Sequence, residues 1–181
     1  MLVYLITGYA TSGKDTVGSI MERVGFRRYA FADPLKFYSS NFHGYNIQLT
    51  QTQSGKETVV QSKQTDRSAT VRQFLIDDSL RLKKLKGDNI WAEAIQEQIN
   101  ADNLKYIVIT DWRYRHELAY LQSTLKDAKL ITIRVIRDSV KPIQDPSEHD
   151  LDGYVTNFTI KNNGTIDALT NQCYDILAKE L

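Results

Sequence analysis

The 181-residue sequence predicts an α/β fold in which helices cover both faces of a mostly parallel, five-stranded sheet. Continuous apolar runs rich in β-branched residues recur along the chain, as is typical of parallel strands buried on both faces. Segments with helical spacing of apolar residues fall between these runs. The alternation of strands and helices favours parallel strands joined by right-handed crossovers.

Five segments are strand candidates. The clearest are the apolar runs Leu2–Thr7, Tyr106–Thr110 and Leu130–Ile136. Two weaker candidates, Arg28–Ala32 and Phe158–Lys161, complete the predicted sheet.

Five further segments place apolar residues three or four positions apart, which predicts amphipathic helices. These segments are Thr16–Val24, Val71–Lys84, Ile90–Ile99, Arg115–Leu125 and Ile166–Leu181. Each lies between or after predicted strands, as a three-layer arrangement requires.

The region Asn46–Ala69 differs from the rest of the chain because Gln, Thr, Ser and Lys dominate it. Its only apolar pair is Val59-Val60. Polar connections of this length are usually functional or disordered. We therefore expect one domain spanning residues 1–181, with a polar mobile insertion or partly ordered lid at about 46–69.

Composition excludes some function classes. The formal net charge is +1, so bulk electrostatics favour neither a nucleic acid polymer nor a membrane as partner. Cys173 is the only cysteine, which rules out a disulfide within the chain and suits a reducing compartment. No apolar run approaches the roughly 18 residues of a membrane helix. We expect a soluble cytoplasmic protein.

The segment Gly8–Thr16 follows the first strand directly and has the pattern G-x-x-x-x-G-K-D-T. Glycines at both ends let the backbone turn tightly, so that successive N–H groups can surround an anion at the start of a helix. Lys14 adds a mobile charge for the β- and γ-phosphates of a nucleotide. The segment predicts a P-loop, and its predicted nucleotide-binding residues are Gly8, Ser12, Gly13, Lys14, Asp15 and Thr16.

One position departs from the usual P-loop. Asp15 follows the lysine where a Ser or Thr is common, and the hydroxyl comes one residue later at Thr16. We expect Thr16 to contact Mg²⁺ or the β-phosphate. Asp15 either caps the helix or joins the metal shell, and the sequence leaves both open.

Charged residues follow the predicted central strands at their carboxyl ends, where open α/β sheets bind ligands. Asp111 ends one strand and can hold Mg²⁺ through water or orient the reacting phosphate of the substrate, or instead cap the next helix. Arg113 follows it, and Arg137 follows the strand Leu130–Ile136. Guanidinium groups suit phosphate oxygens, so both arginines are predicted to contact phosphate.

Three further residues are candidates for the acceptor site. Asp33 and Lys36 follow the second strand and precede or begin a helix, for which Asp33 is also a possible cap. Arg72 begins the helix behind the polar insertion. The functional interpretation places Asp33 and Lys36 against the sugar and α-phosphate of an acceptor nucleotide, whereas Arg72 taken alone would be a surface arginine.

Two loops carry weaker signals. Asn163 and Gly164 form a turn before the last helix, and the loop at this place borders the donor base in P-loop kinases. His149 could shuttle a proton, but a lone loop histidine is more often structural or solvated. Trp91 is interpreted as a core residue.

Taken together, these segments resemble the deoxynucleoside monophosphate kinases encoded by bacteriophages. The resemblance spans nearly the whole chain. A P-loop followed by Ala-Asp-Pro-Leu-Lys and by Ser-Glu-His is a more specific pattern than the P-loop alone. The matching segments are 12–17, 31–36, 72–75, 89–91, Asp111-Trp112-Arg113-Tyr114 with Glu117, 134–137, Pro146-Ser147-Glu148-His149 and 162–165.

The resemblance implies a P-loop kinase fold and transfer of the γ-phosphoryl group of ATP to a deoxynucleoside monophosphate, with Mg²⁺. It also implies a homodimer. In this scheme Lys36, Arg72 and Arg113 hold the acceptor phosphate, and Arg137 bridges the moving group. The alternatives are another small-molecule kinase, of the phosphomevalonate or dephospho-coenzyme A type, and a non-catalytic nucleotide-binding module.

Overall fold

The computed structural model of the chain describes residues 1–141 and 148–180. The chain forms two compact units, one made of Met1–Ala30 with Gln96–Leu181 and the other of Phe31–Ile95. The single-domain organisation stays a prediction. In chain order the elements are β1 (Leu2–Thr7), α1 (Lys14–Arg23), β2 (Arg27–Tyr29), α2 (Ala32–His43), α3 (Gln53–Lys56), β3 (Val59–Gln61), β4 (Ser68–Thr70), α4 (Val71–Lys86), α5 (Ile90–Asp102), β5 (Tyr106–Ile109), α6 (Arg115–Thr124), β6 (Lys129–Ile136), β7 (Phe158–Lys161) and α7 (Ile166–Glu180).

The first unit contains a five-stranded sheet in the order β2-β5-β1-β6-β7, and every pairing is parallel. The α/β prediction and the five strands are therefore confirmed. Strand β1 is central, because it pairs with β5 on one side and β6 on the other. The chain crosses to opposite sides of β1 on leaving β1 and β5, and such a switch point creates a crevice at the carboxyl ends of the strands.

The strand prediction was wrong at one place. Strand β2 ends at Tyr29, whereas the sequence extended it to Ala32. The chain instead enters α2 at Ala32, and Pro34 lies in the first turn, where its missing N–H costs nothing. Helix α1 begins at Lys14, two residues earlier than predicted. In the described part of the chain, no helix is both long and apolar enough to cross a membrane.

The core of the first unit lies between the sheet and helices α1 and α7. Alternate residues of β1 point to this side, because side chains alternate across a strand. Cys173 is fully buried here, and burial raises the pKa of its thiol to about 11. The cluster comprises Leu2, Tyr4, Ile6, Val17, Ile20, Met21, Phe26, Val108, Ile131, Ile133, Val135, Ile160, Leu169, Cys173, Ile176 and Leu177.

Helix α6 lies on the opposite face of the sheet from α1. The crossover β1-α1-β2 and the crossover β5-α6-β6 run in opposite directions across the sheet. Since parallel crossovers are right-handed, their helices must cover opposite faces. Leu118 and Leu121 of α6 are buried accordingly. The predicted three-layer arrangement follows from this topology.

The second unit contains α2, α4 and a β-hairpin, in which β3 and β4 are antiparallel. The polar region Asn46–Ala69 is folded into a 3-10 helix at Ile47–Thr50, α3, β3 and most of β4. Its apolar residues pack on α4, with Val60 and Ala69 against a cluster around Phe74. Its mobility stays a prediction.

Buried polar groups hold the hairpin of the second unit. The Ser62 hydroxyl accepts N–H bonds from Gln64 and Thr65, both at 3.2 Å, and lies 2.8 Å from Nδ1 of His43. Nε2 of His43 lies 3.1 Å from Asp78. Because the Ser62 hydroxyl already accepts two amide N–H groups, its own hydrogen points to Nδ1 of His43. The hydrogen on Nε2 of His43 then points to Asp78. Each of these buried polar groups is thereby satisfied.

The packing of α1 on β5 leads to a stability test. A Cβ on Gly18 would lie 2.3 Å from Cγ2 of Thr110, which is fully buried. We expect Gly18→Ala to lower the free energy of unfolding by about 1–2 kcal/mol, since overpacking outweighs the gain in helix propensity. The double variant Gly18→Ala/Thr110→Ser moves the methyl group from strand to helix and should recover most of this loss. Urea denaturation of both single variants and the double variant measures the coupling, and a Gly18→Ala protein as stable as wild type contradicts it.

Candidate active site

The loop between β1 and α1 has the backbone of an anion-binding turn. Gly13 has φ of 104°, and its Cβ would lie 2.3 Å from Nδ2 of Asn162, so only glycine fits. A Cβ at Gly8 would lie 2.3 Å from the carbonyl oxygen of Val135. Thr11 also has a positive φ of 64°, which is unusual for a β-branched residue. Close packing with the neighbouring elements therefore imposes the predicted loop conformation.

The Lys14 side chain folds back onto the backbone of the loop. Its Nζ donates to the carbonyl oxygens of Gly8 at 2.6 Å and Tyr9 at 2.8 Å. These bonds hold the ammonium group at the loop, where a phosphate can take over as partner. Ser12 is buried, and among the described residues its hydroxyl has no hydrogen-bond partner.

Several charges act on Lys14. Burial lowers the pKa of its ammonium group, and the charge of Arg113 lowers it further. The carboxylates of Glu148, Asp15 and Asp111 act in the opposite direction. The site therefore combines cations, which suit a phosphate, with carboxylates that partly offset the positive charge around Lys14.

Asp15 and Thr16 lie in the first turn of α1, and both are exposed. Asp15 does not cap the helix: the N-cap residue is Gly13, with no side-chain cap bond, and Asp15 lies 3.5 Å from Arg28 instead. The helix-cap alternative is thus wrong. Participation of Asp15 and Thr16 in a metal shell stays a prediction.

The segment after β5 is rigidly held. The backbone N–H of Trp112 donates to the Ile6 carbonyl at 3.1 Å, and the Trp112 ring is buried. The N–H groups of Arg113 and Tyr114 both donate to Glu117 at 3.0 Å. The Arg113 guanidinium group reaches Glu148, with 3.4 Å between Nη1 and Oε1. This backbone support positions Arg113 beside the loop.

The two arginines of β6 and its end differ. Arg134 donates to the Leu151 carbonyl at 2.6 Å and supports the following loop. Arg137 is exposed and lines a cavity of about 500 Å³ beside the P-loop, within the usual size of small-molecule sites. The residues around the cavity are Gly8, Tyr9, Ser12, Arg134, Val135, Ile136, Arg137, Asp138, Val140, Asp152, Gly153 and Tyr154.

His149 is hydrogen-bonded within this loop. Its Nδ1 lies 2.8 Å from Asp152, which also accepts a hydrogen bond from the Tyr9 hydroxyl at 2.9 Å. These bonds tie the P-loop to the loop after β6, and the bond to His149 is the leading cause of the lowered pKa of Asp152. The structural interpretation of His149 fits this arrangement. Pro146 and Ser147, which belong to the same sequence motif, lie outside the described residues.

The turn before α7 contacts the P-loop through Asn162, to which the sequence assigned no role. Its Nδ2 donates to the Ser12 carbonyl at 2.8 Å, whereas the predicted residue Asn163 pairs with Asp138 at 2.8 Å. Gly164 follows in the same turn, next to α7. An Asn-Asn-Gly sequence indicates a turn, but only the fold shows which asparagine faces the loop.

Three of the predicted acceptor residues, Asp33, Lys36 and Arg72, belong to the second unit, whereas Arg113 belongs to the first. Asp33 lies in the first turn of α2, whose N-cap is Phe31, so Asp33 is not the cap; it pairs with Lys36 at 2.9 Å. Arg72, the second residue of α4, binds Glu57 at 2.6 Å and Gln53 at 2.7 Å. Their contact with an acceptor stays a prediction. Trp91 is buried, as expected.

The residues of the first unit fit Mg²⁺ bound chiefly by phosphates and water. No group of three His, Cys, Asp or Glu side chains that could hold a metal occurs in residues 1–141 and 148–180. Mg²⁺ in kinase sites typically takes one or two carboxylates together with substrate phosphates and water. An exposed hydroxyl at Thr16 and a carboxylate at Asp111 match this donor set.

The fold is shared with solved structures, two of which are named as kinases. A dephospho-CoA kinase from Campylobacter jejuni is 17% identical, with 99% of this chain and 97% of that chain covered and a TM-score of 0.52. TT1252 from Thermus thermophilus is 15% identical, with coverages of 99% and 98% and a TM-score of 0.53. A gluconokinase from Sinorhizobium meliloti 1021 is 15% identical, with coverages of 98% and 91% and a TM-score of 0.50.

No protein-family model matches the chain, and the comparison with curated proteins finds no match. At these identities the structural similarity establishes the fold. The chain therefore has an α/β fold of the P-loop kinase type, with a parallel five-stranded sheet.

The bond between Asn162 and the P-loop can be tested directly. We expect Asn162→Ala to weaken ATP binding by about 1 kcal/mol, roughly fivefold, because the Ser12 carbonyl loses its partner and the loop loses its packed form. Asn163→Ala removes a bond to Asp138 instead and should weaken binding less. Isothermal titration calorimetry with ATP compares the two, and a larger loss in Asn163→Ala contradicts the assignment.

Proposed function

We propose that the chain is an ATP-dependent kinase that transfers the γ-phosphoryl group to a deoxynucleoside monophosphate, giving a deoxynucleoside diphosphate and ADP. The observation that carries this proposal is the P-loop, with Lys14 inside it and the Arg113 guanidinium group beside it. A cation cluster at the switch point of a parallel sheet suits polyphosphate binding. The resemblance to phage deoxynucleoside monophosphate kinases supports the choice of acceptor.

The donor side uses residues of the first unit. Lys14 exchanges its carbonyl partners for the β- and γ-phosphates, and the N–H groups at the start of α1 bind the β-phosphate. Thr16 and Asp111 would hold Mg²⁺, which neutralises phosphate charge when bound. Asn163 and Gly164 border the donor base through their backbone, and Arg137 closes on the transferred group from the cavity edge.

The acceptor side uses Lys36, Arg72 and Arg113 to bind the acceptor phosphate, with Asp33 facing the nucleoside. The Arg72 guanidinium group already donates to one acidic side chain, Glu57, and to one neutral side chain, Gln53. A dianionic phosphate competes well for such a guanidinium group, because it offers more charge and a bidentate geometry. Gln53 begins α3 and Glu57 directly follows it, so acceptor binding at Arg72 would also release or reorder the region Asn46–Ala69.

This chemistry requires little from the protein beyond alignment and charge. The acceptor phosphate is already ionised near neutral pH, so no strong general base is needed. Catalysis then depends on bringing two anions together and on neutralising the charge of the transition state. This matches a site with several cations and with His149 engaged structurally.

The rival functions predict different substrates. A kinase of the dephospho-coenzyme A or phosphomevalonate type uses the same donor side with another acceptor. A non-catalytic nucleotide-binding module binds ATP without turnover, and the arginines Arg113 and Arg137 beyond the P-loop argue against it. A coupled assay of ADP release separates these possibilities. It should include every deoxynucleoside and ribonucleoside monophosphate, dephospho-coenzyme A and phosphomevalonate.

The assay supports the proposal if one or more deoxynucleoside monophosphates give the highest kcat/KM. Turnover with only dephospho-coenzyme A or phosphomevalonate contradicts the proposed deoxynucleoside monophosphate acceptor, but it is compatible with ATP as the phosphoryl donor. ATP binding without ADP release for any acceptor contradicts the kinase function.

Removing the P-loop lysine should abolish transfer without unfolding the protein. We expect Lys14→Ala to lower kcat by about 100-fold or more, because a charge that contacts the transferred phosphate is lost. Lys126→Ala, an exposed lysine between α6 and β6, is the matched control and should retain activity. A folded Lys14→Ala protein with near-normal turnover rules out the proposed role.

The two arginines assigned to the acceptor phosphate should affect the KM for the monophosphate far more than the KM for ATP. We expect Arg72→Ala and Arg113→Ala to raise the KM for the monophosphate by about 10- to 100-fold, since a bond to a charged group contributes about 1.5–3 kcal/mol. The KM for ATP should change far less. Arg67→Ala, whose arginine pairs with Asp77 in the second unit, is the control. Equal losses for ATP and the monophosphate would place these arginines on the donor side.

A further inference from the structure

Glu148 is a buried carboxylate in contact with the P-loop. Its side chain is only 3% exposed. Oε2 accepts the N–H of Ala10, in the middle of the loop, at 2.8 Å, and Oε1 lies 3.4 Å from Nη1 of Arg113. One carboxyl group therefore connects the tip of the loop with an arginine after β5.

Little free space remains around this carboxylate. The cavity next to it measures about 10 Å³, which is at most the room for one water molecule. The backbone N–H of the neighbouring Arg113 is bound by Glu117. The residues around the cavity are Thr7, Gly8, Tyr9, Trp112, Arg113, Arg134, Glu148 and Leu151.

A buried carboxylate close to a phosphate site has a cost. Burial of an ionised group is unfavourable unless hydrogen bonds and opposite charges compensate for it, and a bound phosphate repels it. The bond to Ala10 and the charge of Arg113 supply that compensation. The same contacts restrict Ala10 and Arg113, because the two oxygens of one carboxylate hold both groups at a set distance from each other.

We propose that Glu148 is a positioning residue, which holds the P-loop tip at Ala10 and the Arg113 guanidinium group in the arrangement that phosphoryl transfer requires. This inference rests on the proposed kinase function for its role in turnover. Glu148 stays in place when nucleotides bind, and it acts through Arg113 and the loop without contacting the reacting atoms. The opposite hypothesis is that the carboxylate occupies the position of a phosphate and must leave.

Two substitutions distinguish the two contacts of Glu148. Glu148→Gln keeps an oxygen for the Ala10 N–H and removes the charge that faces Arg113. Glu148→Ala removes both. Asp150→Asn is the matched control, because Asp150 lies in the same loop and accepts a backbone N–H, that of Arg115 at 2.7 Å, away from the P-loop.

Turnover is the first readout. We expect Glu148→Gln to lower kcat by about 10-fold and Glu148→Ala by about 100-fold, because small displacements of a phosphate-binding group are costly for transfer. The KM for ATP should change by less than about threefold in Glu148→Gln, as for a loss confined to the transition state. Asp150→Asn should retain its kcat. An unchanged kcat in Glu148→Ala overturns the proposal.

Hydrogen exchange without nucleotide is the second readout and does not depend on turnover. Exchange in the peptide that contains residues 8–14 should become faster in Glu148→Ala and remain close to wild type in Glu148→Gln and Asp150→Asn. If wild type turns over no acceptor, the kinase function fails, and this pattern still tests whether Glu148 holds the loop. Unchanged exchange in Glu148→Ala, or tighter ATP binding by that variant, overturns the proposal, and tighter binding would identify the carboxylate as a competitor of phosphate.

Discussion

The structure depends on a turn of backbone that is unfavourable by itself. Between β1 and α1 the chain adopts positive φ at Gly8, Thr11 and Gly13, and a strained residue such as Thr11 costs on the order of 1–3 kcal/mol. Such a turn persists only when the surrounding structure holds it. Here two hydrogen bonds hold it: Nδ2 of Asn162 donates to the Ser12 carbonyl, and Glu148 accepts the Ala10 N–H.

The sheet makes this support possible. Because β1 is central and pairs with β5 and β6, the segments that follow these strands reach the same edge as the loop. Arg113 and Glu148 arrive there from opposite sides of β1. Charge balance follows from the same geometry: burial and Arg113 lower the pKa of Lys14, and the nearby carboxylates counteract them. The conformation of the loop and the charge of Lys14 therefore depend on some of the same neighbouring residues.

Much of the fold could be predicted from the sequence because its signals are local. The run Leu2–Thr7 and the helix that starts after Gly13 each depend on neighbouring residues, and the P-loop pattern is itself a short segment. The polar region Asn46–Ala69 was harder to interpret, because its short elements acquire stability only by packing on α4. Strand β2 was extended too far, since Ala30, Phe31 and Ala32 are apolar in either a strand or a helix start.

The site was predictable only where a residue type has one dominant use. Lys14 follows from the loop pattern alone. In contrast, Glu148 contacts a residue 138 positions away, and Asn162 contacts one 150 positions away. No local pattern states which carboxylate or which asparagine reaches the loop, because that choice depends on the order of strands in the sheet. Long-range hydrogen bonds of this kind are therefore what the structure adds.

The proposed kinase function requires that the loop between β1 and α1 bind a polyphosphate. Calorimetric titration of the wild-type protein with adenosine, AMP, ADP and ATP, each with Mg²⁺, tests it most directly. Affinity should rise steeply with the β-phosphate, so that ADP and ATP bind at least about tenfold more tightly than AMP, because the loop N–H groups and Lys14 would contact that phosphate. Adenosine or AMP binding as tightly as ATP would contradict it.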